Sequence, residues 1–209
     1  MPQKVFSQIF ASQSEKVSQK QLKRGEILYH MGDEPKNIYL LESGLIGLFH
    51  VESSGKETFF RVFSEGAILG HRSYFASENY HASAICLVPS KVQILAASQC
   101  TNYLKDKPEI LLEALKSLAI DLGTAETRLA GLKDKPVIAR VSEALLFLKL
   151  KHPDYSWTRK EIAEYSGSTI ETVARVMTQL SEEGFLEKQG RDFLILDQDN
   201  FVNWISEQY

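Results

Sequence analysis

The chain has little cysteine, no long apolar run and almost no net charge, and each shortage removes a class of function. Cys86 and Cys100 are the two cysteines in 209 residues, too few for a disulfide framework or a four-thiolate iron–sulfur cluster built from one chain. Both read as reduced core thiols. No run of about 18 apolar residues occurs, and Met1–Ser12 lacks a continuous hydrophobic region, so neither a membrane span nor a secretory leader is expected. The protein reads as cytoplasmic. The net charge is −3, divided as 14 basic against 14 acidic residues up to Leu132 and 10 against 13 beyond it. Any contact with nucleic acid therefore needs a locally basic face on an acidic body. No nucleophile, base and orienting group recur at a recognisable spacing, and His50, His71 and His81 have no obvious carboxylate partner, so no enzyme is expected.

What the sequence does have is a seam of leucines. Between about Glu109 and Lys133, the residues Leu111, Leu115, Leu118, Leu122, Ala125, Leu129 and Leu132 alternate spacings of four and three. That narrow a/d stripe suits one parallel partner, and small Ala125 lets two backbones approach closely. It predicts a homodimer spine, although an amphipathic helix lying on its own domain has the same periodicity.

Ahead of the seam, Lys4–Lys20 is a short polar lead with helical potential. Alternating apolar residues follow, broken by glycines at 25, 32, 44, 47, 55, 66 and 70, a spacing that predicts short strands joined by tight turns. The clearest segments are Leu22–Tyr29, Asn37–His50, Glu57–Phe63 and Lys91–Leu95, with turns at Met31–Lys36 and Ser53–Lys56. They predict an antiparallel sandwich or roll. Gln99–Lys107 reads as a short covering helix, and Pro108 starts the long one. Lys133–Pro136 is a break, with Asp134 available as a cap and Pro136 in the next first turn. Val137–Lys151 is then an amphipathic helix, with Val141, Ala144, Leu145 and Leu148 on one face, and His152–Ser156 is a loop.

The most specific stretch is Trp157–Leu180. It reads as a helix with Ile162 and Ala163 buried, a tight turn at Gly167, and a second helix with Val173, Val176, Met177 and Leu180 inward, the pattern of a helix-turn-helix. Thr169, Ile170, Glu171, Ala174, Arg175 and Thr178 are left facing outward. Arg pairs with guanine O6/N7 and Glu accepts from cytosine N4. Thr158, Arg159 and Ser168 complete the candidate DNA contacts on this element. Downstream, Gly184–Leu196 is a hairpin turning at Gln189-Gly190, with Lys188 and Arg191 near its tip as phosphate contacts. Asp197–Gln208 is a closing helix.

From Leu22 to Leu95, the "K-x-G-E-x-L" opening, the "G-D" turn, the "I-Y-x-L-x-S-G" strand end and the "G-x-I-L-G" before a short helix resemble the cyclic-nucleotide-binding β-roll. The resemblance implies a pocket Glu after the glycine and an Arg about ten residues on. Here His71 stands in the first place, and no Arg lies among Tyr80, His81 and Ala82. Without the bidentate Arg a cyclic phosphate loses its strongest contact, so cAMP and cGMP are not expected as effectors. The family's Thr-Ser pair from the long helix falls at Ala125 and Glu126, with Thr124 and Thr127 beside it. His71, Arg72, Tyr80 and His81 form the candidate effector pocket. The two histidines have three readings: ligands to a metal or haem iron, pH sensors near neutrality, or packing residues.

Over nearly the full length, with Glu-Thr-Val-x-Arg at 171–175 after Ser168-Thr169, the chain resembles the catabolite-activator and fumarate-nitrate-regulator (CRP/FNR) superfamily of bacterial transcription factors. This implies an α+β protein: a sensor β-roll (1–108), a dimerisation helix (109–133) and a winged helix-turn-helix (134–209). It also implies a homodimer on double-stranded DNA, with an inverted repeat of TGA-like halves read by Glu171 and Arg175. The first Arg of the catabolite-activator type is Ile170 here. Family members touch RNA polymerase partly through the loop before the helix-turn-helix, and His152–Ser156 is shorter than that loop. No cofactor is expected. The competing readings are a haem- or metal-dependent sensor regulator and an adaptor that does not bind DNA.

Overall fold

The computed structural model describes residues 3–51, 57–190 and 192–208. The turn read at Ser53–Lys56 and the wing residue Arg191 lie outside the described residues. Two compact units, Met1–Thr124 and Ala125–Tyr209, divide the chain.

In the first unit, α1 (Gln3–Ser12) and a 3-10 turn (Ser14–Lys16) precede β1 (Ser18–Leu22), β2 (Ile27–Tyr29), β3 (Asn37–Ser43), β4 (Ile46–Val51), β5 (Glu57–Phe63) and β6 (Ile68–Leu69). Then come α2 (His71–Ala76), β7 (Ser83–Cys86), β8 (Ser90–Ala96), α3 (Ala97–Asp106) and the start of α4 (Pro108–Asp134). The strands form two antiparallel sheets, β1-β8-β3-β6 and β2-β7-β4-β5. This is the expected roll. Period-2 alternation explains why β3 reads as a continuous apolar run. Tyr39 and Leu41 join the cluster that includes Leu28, Ile46, Leu48 and Val92, while Ile38 and Leu40 join Ile9, Phe10, Leu95, Cys100 and Leu104. A strand buried on both faces has no polar positions to show.

Three expectations change here. The lead is a helix only to Ser12, and it is not merely polar, because Ile9 and Phe10 are core residues. Ser18–Lys20 is strand, paired with β8. The segments Leu22–Tyr29 and Asn37–His50 each span two strands separated by a turn at Gly25 or Gly44, both with positive φ.

The second unit takes the end of α4, then α5 (Val137–Lys151), α6 (Arg159–Ser166), α7 (Ile170–Glu182), the hairpin β9 (Leu186–Gln189) and β10 (Asp192–Ile195), and α8 (Gln198–Ser206). Val141, Ala144, Leu145 and Leu148 are buried as expected. Asp134 is not the cap of α5. It ends α4, and Pro136 takes the N-cap position with no side-chain hydrogen bond. The loop after α5 is packed: Trp157 is buried, and its Nε1 donates to the Leu148 carbonyl at 3.1 Å.

Candidate functional site

The turn between α6 and α7 is specified from both ends. Thr158 caps α6: its hydroxyl accepts the Glu161 backbone N–H at 3.2 Å, and the Glu161 carboxylate accepts the Thr158 N–H at 2.8 Å. A cap of this kind contributes about 1 kcal/mol. Gly167 ends α6 at φ +61, and a Cβ there would meet Leu132 Cδ2 at 3.2 Å; conformation and space both favour glycine. Thr169 then caps α7 by accepting the Thr172 N–H at 3.2 Å. Burial of Val173, Val176 and Leu180 fixes which face of α7 turns inward, at roughly 1.5–3 kcal/mol each. Met177 is only half-buried.

The opposite face presents Thr169, Ile170, Glu171, Arg175 and Thr178 to solvent, with Ala174 half-buried among them. The Glu171 carboxyl is held below the usual carboxylate range chiefly by a hydrogen bond from its own backbone N–H. Arg159 and Arg175 are exposed, and neither side chain has a hydrogen bond or ion pair among the described residues. Three hydroxyls are committed locally. Thr158 donates to Glu161, Thr169 to Thr172, and Thr178 to the Ala174 carbonyl. Ser168 is half-buried, with its N–H on the Ala163 carbonyl. Lys188 is exposed on β9, beside the Gln189–Gly190 turn.

In the first unit, Gly70 opens α2 at φ +84, where a Cβ would lie 2.8 Å from the Asn37 carbonyl oxygen. Arg72 Nη1 stands 2.8 Å from His81 Nε2. A guanidinium only donates, so Nε2 accepts and the His81 ring is neutral, with its proton on Nδ1. Burial, with Arg72 and His50 adding to it, pushes His81 down to about 4. His71 is also pushed down to about 4, chiefly by burial and against the opposing field of Asp121. Burial thus disfavours the charged form of both rings, which weighs against the pH-sensing reading. His50 Nδ1 donates to the His81 carbonyl at 3.1 Å, and Phe60 lies 5.7 Å from His50 and 6.2 Å from His81. Tyr80 goes elsewhere. It stacks on Tyr29 at 3.8 Å, bonds the Asn37 carbonyl and is buried in the core. Among the described residues, no three His, Cys, Asp or Glu side chains gather as a metal set.

Two family models match the chain: the cyclic nucleotide-binding domain over residues 19–107 and the Crp-like helix-turn-helix domain over residues 139–202. The chain belongs to the CRP/FNR superfamily of bacterial transcription regulators. Within it, this regulator is 23% identical over 177 residues to the cAMP-activated global transcriptional regulator CRP of Pasteurella multocida, covering 80% of this chain and 85% of that one. It is 23% identical to the transcriptional activator protein anr of Pseudomonas aeruginosa, covering 84% and 75%. The structure of FixK2 from Bradyrhizobium japonicum shares the fold, with a TM-score of 0.80 at 20% identity over 90% of this chain and 96% of that one.

Several residues of this CRP/FNR regulator that hold its elements in place escaped the sequence reading. Arg61 on β5 grips Asp121 on α4 through both carboxylate oxygens, at 3.0 and 2.5 Å. In the second unit, Arg128 on α4 donates to the Tyr165 carbonyl at 2.6 Å and lies 3.8 Å from the centroid of that ring, and Arg140 donates to the Leu132 carbonyl at 2.9 Å. No local motif announces such pairs, whose partners are 60 and 37 residues apart for Arg61 and Arg128. Thr124, read beside the pocket, returns its hydroxyl to the Ile120 carbonyl at 2.9 Å.

Proposed function

We propose that the chain is a homodimeric, sequence-specific DNA-binding regulator that reads an inverted repeat without cAMP. Its parts are the sensor roll (1–108), the dimerisation helix (109–133) and the winged reader (134–209). The observation that supports this best is the outer face of α7, where Glu171 and the unengaged Arg175 stand one helical turn apart among small and apolar side chains. Arg175 pairs with guanine, Glu171 accepts from cytosine, and Ile170 and Ala174 offer apolar contact to thymine methyls. Arg159, Ser168, Lys188 and Arg191 are assigned to the phosphate backbone, Thr158 and Thr169 join them only by exchanging their hydroxyl bonds to Glu161 and Thr172, and Thr178 stands at the edge of the reading face.

The dimer rests on α4. Leu115, Leu122 and Leu129 are 61, 59 and 69% exposed in the single chain; Leu111 and Ala125 are exposed with them, and Leu118 and Leu132 are half-buried. A helix leaving these leucines in water, with Leu112 and Ile120 exposed beside them, is completed by a second copy, and two-fold symmetry then sets two reading helices about one DNA turn apart.

Cyclic AMP activates the Pasteurella relative by its name, but it does not carry over. A neutral His71 ring offers one uncharged acceptor nitrogen where a carboxylate offers two charged oxygens, His81 is held neutral, and Arg72 is bonded to His81. Repression by occluding a promoter requires nothing further, while activation adds RNA polymerase as a partner. The test is selection from a random DNA pool by purified, effector-free protein. Enrichment of a palindrome with TGA-like halves is expected, and a well-folded dimer that enriches no site would overturn the effector-free reading.

A further inference from the structure

Lys149 sits in the last turn of α5, yet it is only 8% exposed. Lysine stems ordinarily carry the ammonium out to water; this one stays inside, with Nζ 2.7 Å from Oδ2 of Asp192. Asp192 is the first residue of β10 and faces Gln189 across the wing's turn. Its oxygens are otherwise occupied by the Phe193 N–H at 2.8 Å and the Ser156 hydroxyl at 3.4 Å. The Lys149 ammonium also lies 5.6 Å from the centroid of the buried Phe193 ring, and Phe193 is the ladder partner of Lys188.

A hairpin of two four-residue strands is marginal alone. The Phe193 ring buries area, and area tolerates sliding. An ion pair whose ammonium is buried, with directional bonds on its partly exposed carboxylate, tolerates one placement, because displacement leaves the buried charge without its partner. The pair thus couples α5 to the first residue after the described wing turn, close to where a phosphate contact is expected.

We propose that Lys149 is a positioning residue for the wing: its bond to Asp192 sets where Lys188 and the Gln189–Gly190 tip stand relative to α7, so that wing and reading helix meet the same duplex together. The inference rests on the DNA-binding reading above. Its test is the slope of log affinity against log salt, measured with full-length protein on the DNA that the wild type selects, for Lys149→Met, Lys188→Ala and the double variant. Each single variant is expected to lower the slope by about 0.9, the value of one phosphate contact, and the double variant no further. A brace with no positioning role lowers the melting temperature and leaves the slope alone, or gives losses that add in the double variant; either result overturns the inference. Should Lys149→Met melt without cooperativity, Lys149→Met/Asp192→Leu removes both charges in a way that burial tolerates, and it is expected to show the same lowered slope. A wild type that selects no DNA overturns the effector-free regulator reading and this inference with it. Selection by the wild type with unchanged slopes in the variants overturns the inference alone.

Discussion

Arg61 and Arg72 in the roll each hold a partner within their own unit, whereas Arg159 and Arg175 in the reader hold none among the described residues. All four are arginines, with the same fork of donors. In the roll Asp121 takes both ends of the Arg61 fork, and His81 takes one donor of Arg72. In the reader the donors are left to water. A group kept solvated on a rigid helix can meet a partner without first breaking a bond, and the seam leucines of α4 extend the distinction to apolar groups.

The largest expected effect lies at the seam. Leu122→Glu/Leu129→Glu should convert the dimer to a monomer by sedimentation and, with it, remove binding to the full palindrome. A variant that still sediments as a dimer would show that those exposed leucines are not kept for a second copy.

Arg175→Ala should weaken binding to the selected palindrome by about tenfold or more, since a bidentate pair to guanine is worth about 1–3 kcal/mol. Because the side chain is unengaged, the melting temperature should not move. A matching fall in stability would place Arg175 with the roll's arginines instead.

Acid should act on both regions next. His71, His81 and His152 are each pushed down to about 4, burial being the main cause. The unfolded chain then binds more protons than the folded one between about pH 4 and the ordinary histidine range near 6.5. Stability should therefore be level above about pH 7 and fall as the pH drops toward 4, as read by urea denaturation. His81→Gln should make that fall shallower, and a fall of unchanged steepness would show that His81 is not among the groups responsible.

Smaller still is Arg61→Ala. The pair it breaks is partly exposed, with side chains 47 and 31% accessible, so a loss of about 1 kcal/mol or less is expected. Asp121→Asn should cost a similar amount, and the double variant no more than either; fully additive losses would mean that the two side chains do not act as a pair. Finally, millimolar cAMP should leave the melting temperature where it is, whereas a ligand that binds the folded state raises it. A reproducible rise would reopen the roll as a cyclic-nucleotide site.

Local chemistry made the reader legible. Gly167 and the spacing of Val173, Val176 and Leu180 each act within one or two helical turns, so the sequence alone determined where α6 stops and which side of α7 faces out; Thr158 and Thr169, read only as DNA contacts, also cap α6 and α7. The same holds for Val137–Lys151 and for the roll as a class, because periods of 3.6 and 2 are written residue by residue. Other features required the fold. Tyr80 sits next to His81 in the chain, yet it turns into the core, at the bend that precedes β7. Ile9 and Phe10 look like part of a polar lead until a sheet is there to cover. Lys149 with Asp192, and Arg61 with Asp121, are 43 and 60 residues apart. A long charged side chain takes its partner from whatever the packing brings within about 4 Å, and sequence distance carries no record of that. Helix, turn and outward face were therefore determined by the sequence itself. Which charges are spent inside the protein, and which are left for a partner, was decided by tertiary structure.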